Sequence, residues 1–164
     1  MTDFKNGQEL LEVCKKKQCS ISEVMKQREI EGTSSTKKEV EDKMRKALAI
    51  MKEAVRKPLE DPKPSMSGLI GEAKQITGYR ESGTNVCGTF MNKLIAYSMA
   101  VLEVNASMGV IVAAPTAGSS GVVPGVLLAL QEEKGFSDEQ MTDALFHTAA
   151  IGYLMMRNAS VAGA

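Results

Sequence analysis

Tryptophan is absent from this 164-residue chain, and the only other aromatics are four Phe and three Tyr. A β-sandwich core draws on aromatic and β-branched residues, so this scarcity points away from one. Cysteine is scarce too. Cys14, Cys19 and Cys87 are odd in number and irregular in spacing, which excludes a disulfide framework. The C-x4-C interval between the first two is not a usual zinc spacing, and all three are expected to be reduced thiols in a cytoplasmic protein. Net charge is zero, with 20 basic and 20 acidic residues. That balance gives no electrostatic reason to expect nucleic acid or an anionic membrane as a partner. No apolar h-region follows the polar start from Met1 to Asn6, so no signal peptide is expected. The longest apolar stretch, Leu94 to Ala114, carries Glu103 and Asn105 near its middle. A charge there costs about 2.5–3.5 kcal/mol on insertion scales, so a buried segment is expected rather than a membrane span.

What is present is Ala, Leu, Val, Gly and an unusual eleven Met, in a composition that is 43% hydrophobic and 24% charged. Such a core suits closely approaching helices. Asn6 with Glu9, Ser20 with Glu23, Thr36 with Glu39 and Ser137 with Gln140 have capping-box spacing, each predicting a helix start. The second predicted helix stops at Gly32. The third carries Val40, Met44, Leu48, Met51 and Val55 on one face and a solvated charged face opposite, and Pro58 is expected to end it. A turn or linker follows to Pro64. Past residue 65 glycine becomes frequent and charge thins out. Residues 1–60 therefore read as an amphipathic helical layer and 65–164 as a Gly-rich, more buried body of one domain.

The chemistry is concentrated between Glu103 and Gly125. An apolar run stops at Pro115, a loop of small and hydroxyl-bearing residues follows, and a second apolar run begins at Val126. Gly118 and Gly121 let main-chain N–H groups approach a ligand without a Cβ in the way. Thr116, Ser119 and Ser120 add hydroxyls, and a helix starting near Gly121 would favour an anion. The pattern reads as a site for a small carboxylate or phosphate. The same texture also fits a crossing of tightly packed helices. A nucleotide P-loop is excluded because no lysine lies between Lys93 and Lys134. Pyridoxal phosphate is disfavoured because Lys74 and Lys93 stand in no recognisable Schiff-base context. Val110 to Ala113 has the propensity of a short strand.

The stretches A-A-P-T-A-G-S-S-G-V-V-P-G-V-L (Ala113 to Leu127) and E-V-N-A-S-M-G (Glu103 to Gly109) resemble the α chain of bacterial iron–sulfur L-serine dehydratases. S-M-S-G-L-I-G-E-A (Ser65 to Ala73), S-I-S-E-V-M (Ser20 to Met25) and R-N-A-S-V-A-G-A (Arg157 to Ala164) extend the resemblance along nearly the whole chain. It implies an all-α, multi-helix globular domain with a Gly/Ser-rich substrate loop. It implies elimination of water from L-serine, with release of pyruvate and ammonia, in an enzyme whose 4Fe–4S cluster leaves one iron open as a Lewis acid. The family's cluster cysteines lie beyond the region matched. Cys14, Cys19 and Cys87 do not correspond to them, so no metal ligand is assigned and no cluster is expected on this chain. The chain reads as the first part of an α chain, inactive without the remainder and without the β chain or domain, in a larger oligomer.

Given this resemblance, Thr116, Ala117, Gly118, Ser119, Ser120, Gly121 and Asn105 are the candidate substrate-binding residues. No residue is assigned as the general base. Glu103 is expected to make a buried structural hydrogen bond or ion pair, with a raised pKa. His147, the only histidine, is expected to be structural. Met44, Met51, Met99, Met108, Met141, Met155 and Met156 are expected to fill the core, and Asn158 and Ser160 to fray. The alternative function is a non-catalytic helical binding or assembly module whose Gly/Ser loop serves packing.

Overall fold

A computed structural model describes residues 2–63, 71–82 and 86–159. Within them the chain forms seven helices: α1 (Gly7–Lys17), α2 (Ile21–Thr33), α3 (Lys37–Glu60), α4 (Glu72–Glu81), α5 (Thr89–Ala106), α6 (Val122–Lys134) and α7 (Asp138–Asn158). No strand occurs among the described residues. Residues 110–113, which had strand propensity, run without regular structure and without a ladder partner among the described residues. Most of the Ser65–Ala73 segment and the chain end from Ser160 lie outside the described residues. None of the helices described is long and apolar enough to cross a membrane.

The helix starts are local chemistry. Asn6 Oδ1 accepts from Glu9 N–H at 2.9 Å, and Ser20 Oγ from Glu23 N–H at 3.3 Å. Thr36 makes the full reciprocal box: its Oγ1 accepts from Glu39 N–H, and Glu39 Oε2 accepts from Thr36 N–H at 2.7 Å. In α2 the reciprocal half is missing, because Glu23 turns instead to the Lys26 ammonium. Helix α3 differs from expectation at its end. Pro58 lies inside it, and the helix runs on to Glu60. Proline normally removes a hydrogen bond and crowds the preceding turn. Here its ring is buried, and the half-buried Leu59 follows it, continuing the apolar face set by Leu48, Met51 and Val55.

The chain divides into two compact units, Met1–Leu48 with Asp138–Ala164, and Ala49–Ser137. In the first, α7 packs on α2 and α1 packs on α2. Its core gathers Phe4, Leu10, Val24, Met25, Val40, Phe146 and Ala150. Phe4 meets Tyr153 edge-on at 5.3 Å, and the Arg28 guanidinium lies 3.6 Å over the Tyr153 ring. Lys26, only 8% exposed at its side chain, is neutralised by Asp143 at 2.7 Å and Glu23 at 3.2 Å, with Glu41 at 3.7 Å. Three carboxylates around one buried ammonium join α2, α3 and α7. Asn158, expected to fray, is held instead: its Nδ2 donates to the Lys5 and Leu154 carbonyls.

In the second unit α5 packs against both α4 and α6. The contact is made by small residues, with Ala73, Ala96, Ala100 and Ala129 all buried. Gly121 and Gly125, one helical turn apart, sit against Ser98 of α5. A Cβ at Gly121 would lie 2.3 Å from the Ser98 carbonyl oxygen, and one at Gly125 2.0 Å from Ser98 Oγ. Only glycine permits that approach. Of the methionines expected in the core, Met51 and Met141 are buried, whereas Met108, Met155 and Met156 are exposed. Helical spacing marks a face as apolar but does not say that anything covers it.

Candidate functional site

Helix α5 ends at Ala106, and the chain reaches α6 through residues 107–121. This loop is held by its own side chains. Thr116 and Ser119 are reciprocal partners: Thr116 N–H donates to Ser119 Oγ at 3.3 Å, Ser119 N–H donates to Thr116 Oγ1 at 3.3 Å, and the two hydroxyl oxygens are 3.0 Å apart. Ser120 is fully buried and its hydroxyl donates to the Ala117 carbonyl at 2.7 Å. Asn105, on the last turn of α5, donates from Nδ2 to the same carbonyl at 3.3 Å, and Ser120 N–H adds a third bond at 3.3 Å.

This convergence has a directional consequence. In a trans peptide the C=O and the following N–H point in opposite directions. Three donors hold the Ala117 carbonyl against the loop, so the Gly118 N–H points away from it. The Thr116 carbonyl accepts from Ala114 N–H at 3.4 Å, which turns the Ala117 N–H outward as well. Ala117 and Gly118 are exposed. Neither amide donates to an acceptor among the described residues. Two successive outward N–H groups are the elements of an anion-binding nest.

The glycines of the loop have different reasons to be glycine. Gly121 is buried against Ser98, as described above. At Gly118 the nearest atom to an added Cβ would be Thr116 Oγ1 at 4.0 Å, and the residue does not have a left-handed φ. Nothing among the described residues requires its smallness.

The sequence profile of the serine dehydratase alpha chain family matches residues 16–164. The chain belongs to this family. It is 42% identical to a probable L-serine dehydratase alpha chain of Bacillus subtilis over 98% of its own length and 54% of that protein's. It is 33% identical to the L-serine dehydratase alpha chain of Peptoniphilus asaccharolyticus over 96% of this chain and 54% of the relative. For an L-serine dehydratase of Helicobacter pylori the figures are 32%, 99% and 36%. The chain therefore spans about half the length, or less, of these curated relatives.

Within the family motif E-V-N-A-S-M-G, Glu103 is the buried acid. It is 5% exposed, and its Oε1 accepts from Ala73 N–H at 2.9 Å, in the first turn of α4. Gly71, at the start of α4, has no side chain to cap it, so the Glu103 carboxylate takes that role from a neighbouring helix. Oε2 has no hydrogen-bond partner among the described residues. Burial pushes the carboxyl above its ordinary range, against the pull of the Ala73 amide, and the nearby Glu72 adds to the rise. This is the structural hydrogen bond expected from the sequence. The partner, an amide 30 residues earlier, carried no sequence signal.

His147 lies on α7 in the first unit, half-buried, with Nδ1 2.9 Å from the Asp143 carbonyl oxygen. Cys14 and Cys19 are half-buried in that same unit, and Cys87 is exposed in the second. No three His, Cys, Asp or Glu residues gather as a metal site among those described. These residues do not fit the ligand set of a 4Fe–4S cluster, whose irons are held by several converging thiolates.

Proposed function

We propose that this chain forms part of an L-serine dehydratase and that its 114–121 loop binds the carboxylate of L-serine. In this reading the Ala117 and Gly118 amides take the carboxylate oxygens, and the Thr116 and Ser119 hydroxyls border the site. Asn105 and Ser120 act one step back, holding the Ala117 carbonyl so that the Gly118 amide stays aimed outward. Gly121 brings the loop's end down onto α5. The single observation that supports this most is the pinned Ala117 carbonyl, with its consequence for the next amide. Hydrogen bonds to the carboxylate draw charge away from Cα and make its proton easier to remove, a prerequisite of β-elimination. Loss of that proton and of the β-hydroxyl gives aminoacrylate, which hydrolyses to pyruvate and ammonia.

The 4Fe–4S cluster, the β chain or domain and the oligomer are proposed to complete the site from outside these 164 residues, in the cytoplasm. This chain alone is proposed to form no pyruvate. The packing alternative accounts for Gly121 and Gly125, which Ser98 obliges to be small. It does not account for Gly118.

The test is steady-state kinetics of the complete enzyme carrying Ser119→Ala or Gly118→Ala. A hydrogen bond to a charged group contributes about 1.5–3 kcal/mol. Ser119→Ala removes a hydroxyl from the site and should raise KM for L-serine about tenfold. Gly118→Ala keeps its N–H but sets a methyl group beside the carboxylate and should raise KM by crowding. Unchanged kinetics in both variants would favour a packing role for the loop.

A further inference from the structure

The end of α1 brings two thiols together. Gln18 adopts the left-handed conformation (φ 50°, ψ 43°), and its N–H reaches the Lys15 carbonyl, while Cys19 N–H donates to the Cys14 carbonyl at 3.2 Å. This pair of hydrogen bonds is the Schellman motif, which characteristically places the side chains at its two ends in contact. Here those ends are Cys14 and Cys19. Both are half-buried, and both pack against the cluster built on Phe4, Leu10, Val24 and Phe146. Their side chains therefore share one side of the α1–α2 corner. The separation is bounded by the same hydrogen bond. A Cα lies about 2.4 Å from its own carbonyl oxygen and about 1.5 Å from its amide nitrogen. Even a collinear arrangement therefore keeps the two Cα atoms within about 7 Å. The angles at the carbonyl and the amide forbid a collinear arrangement, which draws the Cα atoms toward the window of about 4.4–6.8 Å that a disulfide spans.

We propose that Cys14 and Cys19 are a thiol–disulfide pair, oxidised reversibly by low-molecular-weight disulfides such as glutathione disulfide. Burial, with the neighbouring Cys19 thiol adding to it, pushes the Cys14 thiol up and disfavours its thiolate. In the proposed sequence Cys19 makes the first attack. Its thiolate displaces one glutathione, which leaves as a thiolate and takes up a proton, and a mixed disulfide remains. Cys14 then loses its proton and attacks the Cys19 sulfur. The Cys14–Cys19 bond forms and the second glutathione departs and is protonated. Two protein thiols are oxidised and one glutathione disulfide is reduced to two thiols. Cys87, exposed in the other unit, takes no part.

The test equilibrates the whole 164-residue chain, with Cys87→Ser, in glutathione buffers of increasing disulfide fraction. Free thiols are then blocked with N-ethylmaleimide and the protein is weighed intact. The expected species is lighter by two hydrogens, carries no maleimide, keeps its helical circular dichroism and reverts with dithiothreitol. Trypsin cuts at Lys15, Lys16 and Lys17, so the peptides holding the two cysteines should then stay joined through the disulfide alone. Cys14→Ser or Cys19→Ser should leave only glutathione adducts. Two maleimides at every buffer ratio would overturn the proposal. So would glutathione adducts without an internal bridge in the Cys87→Ser chain, or loss of helix on oxidation.

Discussion

Alanine at Gly121 and alanine at Gly118 are the same chemical change three residues apart, and the structure gives them opposite consequences. At Gly121 the new Cβ falls 2.3 Å from the Ser98 carbonyl oxygen, 3.1 Å from its carbon and 3.3 Å from Leu102 Cγ. The nearest obstacle is main chain in the middle of α5 and cannot rotate aside. The backbone at Gly121 (φ −78°, ψ −27°) suits alanine, so strain of that kind contributes nothing and the cost is steric. Overpacking of this sort costs about 1–3 kcal/mol, and a clash with backbone belongs at the upper end. For a chain of this length each kcal/mol moves the melting midpoint by about 2–4 °C, so Gly121→Ala should melt roughly 6–12 °C lower. At Gly118 the nearest atom to an added Cβ, Thr116 Oγ1, stands at 4.0 Å, an ordinary contact, and the change should stay within about 0.5 kcal/mol. Thermal melts of the two variants beside the parent, followed by far-ultraviolet circular dichroism, make the comparison. A Gly121→Ala midpoint within 2 °C of the parent, or an equal fall for Gly118→Ala, would refute the division of the loop into a glycine that packing requires and one that it does not.

Two further outcomes follow from titratable groups. Burial raises the carboxyl of Glu103, so its ionisation opposes folding; stability declines as pH rises from its unfolded value of 4.5 through the higher folded value, and the penalty is complete above that. Glu103→Gln keeps an oxygen for the Ala73 amide and removes the charge. Its denaturant midpoint should exceed the parent's at pH 7, with the gap closing below pH 4.5; a gap independent of pH would contradict the assignment. Asp3 behaves oppositely. Its hydrogen bond to Arg157, supported by the Tyr153 hydroxyl, lowers its pKa from 3.8 to about 2. Its contribution is present above pH 3.8 and is lost as pH falls through about 2. Asp3→Asn should therefore cost stability at pH 7 by urea titration and cost nothing at the acid limit; an undiminished difference there would mean that the ionised carboxylate is not what stabilises this contact.

The parts of this molecule that sequence alone made legible are those settled within one helical turn. The caps at Asn6, Ser20 and Thr36 involve partners three residues away, and the apolar face of α3 is a matter of period. The places where expectation and structure part are settled by something distant. Lys26 carries no local sequence signal, yet it is buried, because Asp143, 117 residues later, meets it from α7. Pro58 should stop a helix and does not, because its ring is buried in the face of a helix whose packing outlasts the local penalty.

The loop shows the limit most sharply. Its Gly, Ser and Thr content announced a special segment, but composition could not divide the labour within it. Ser119 and Ser120 are adjacent and chemically identical, yet Ser119 pairs with Thr116 beside the outward amides while Ser120 is buried beneath them. Gly118 and Gly121 look interchangeable in one dimension, and they differ in what stands opposite: an ordinary 4.0 Å contact with Thr116 Oγ1 for one, the Ser98 carbonyl at 2.3 Å for the other. A small-residue motif of this kind therefore carries two requirements at once. Close packing fixes where the loop sits, and only a residue that packing leaves unexplained, here Gly118, gives a reason to look for a ligand.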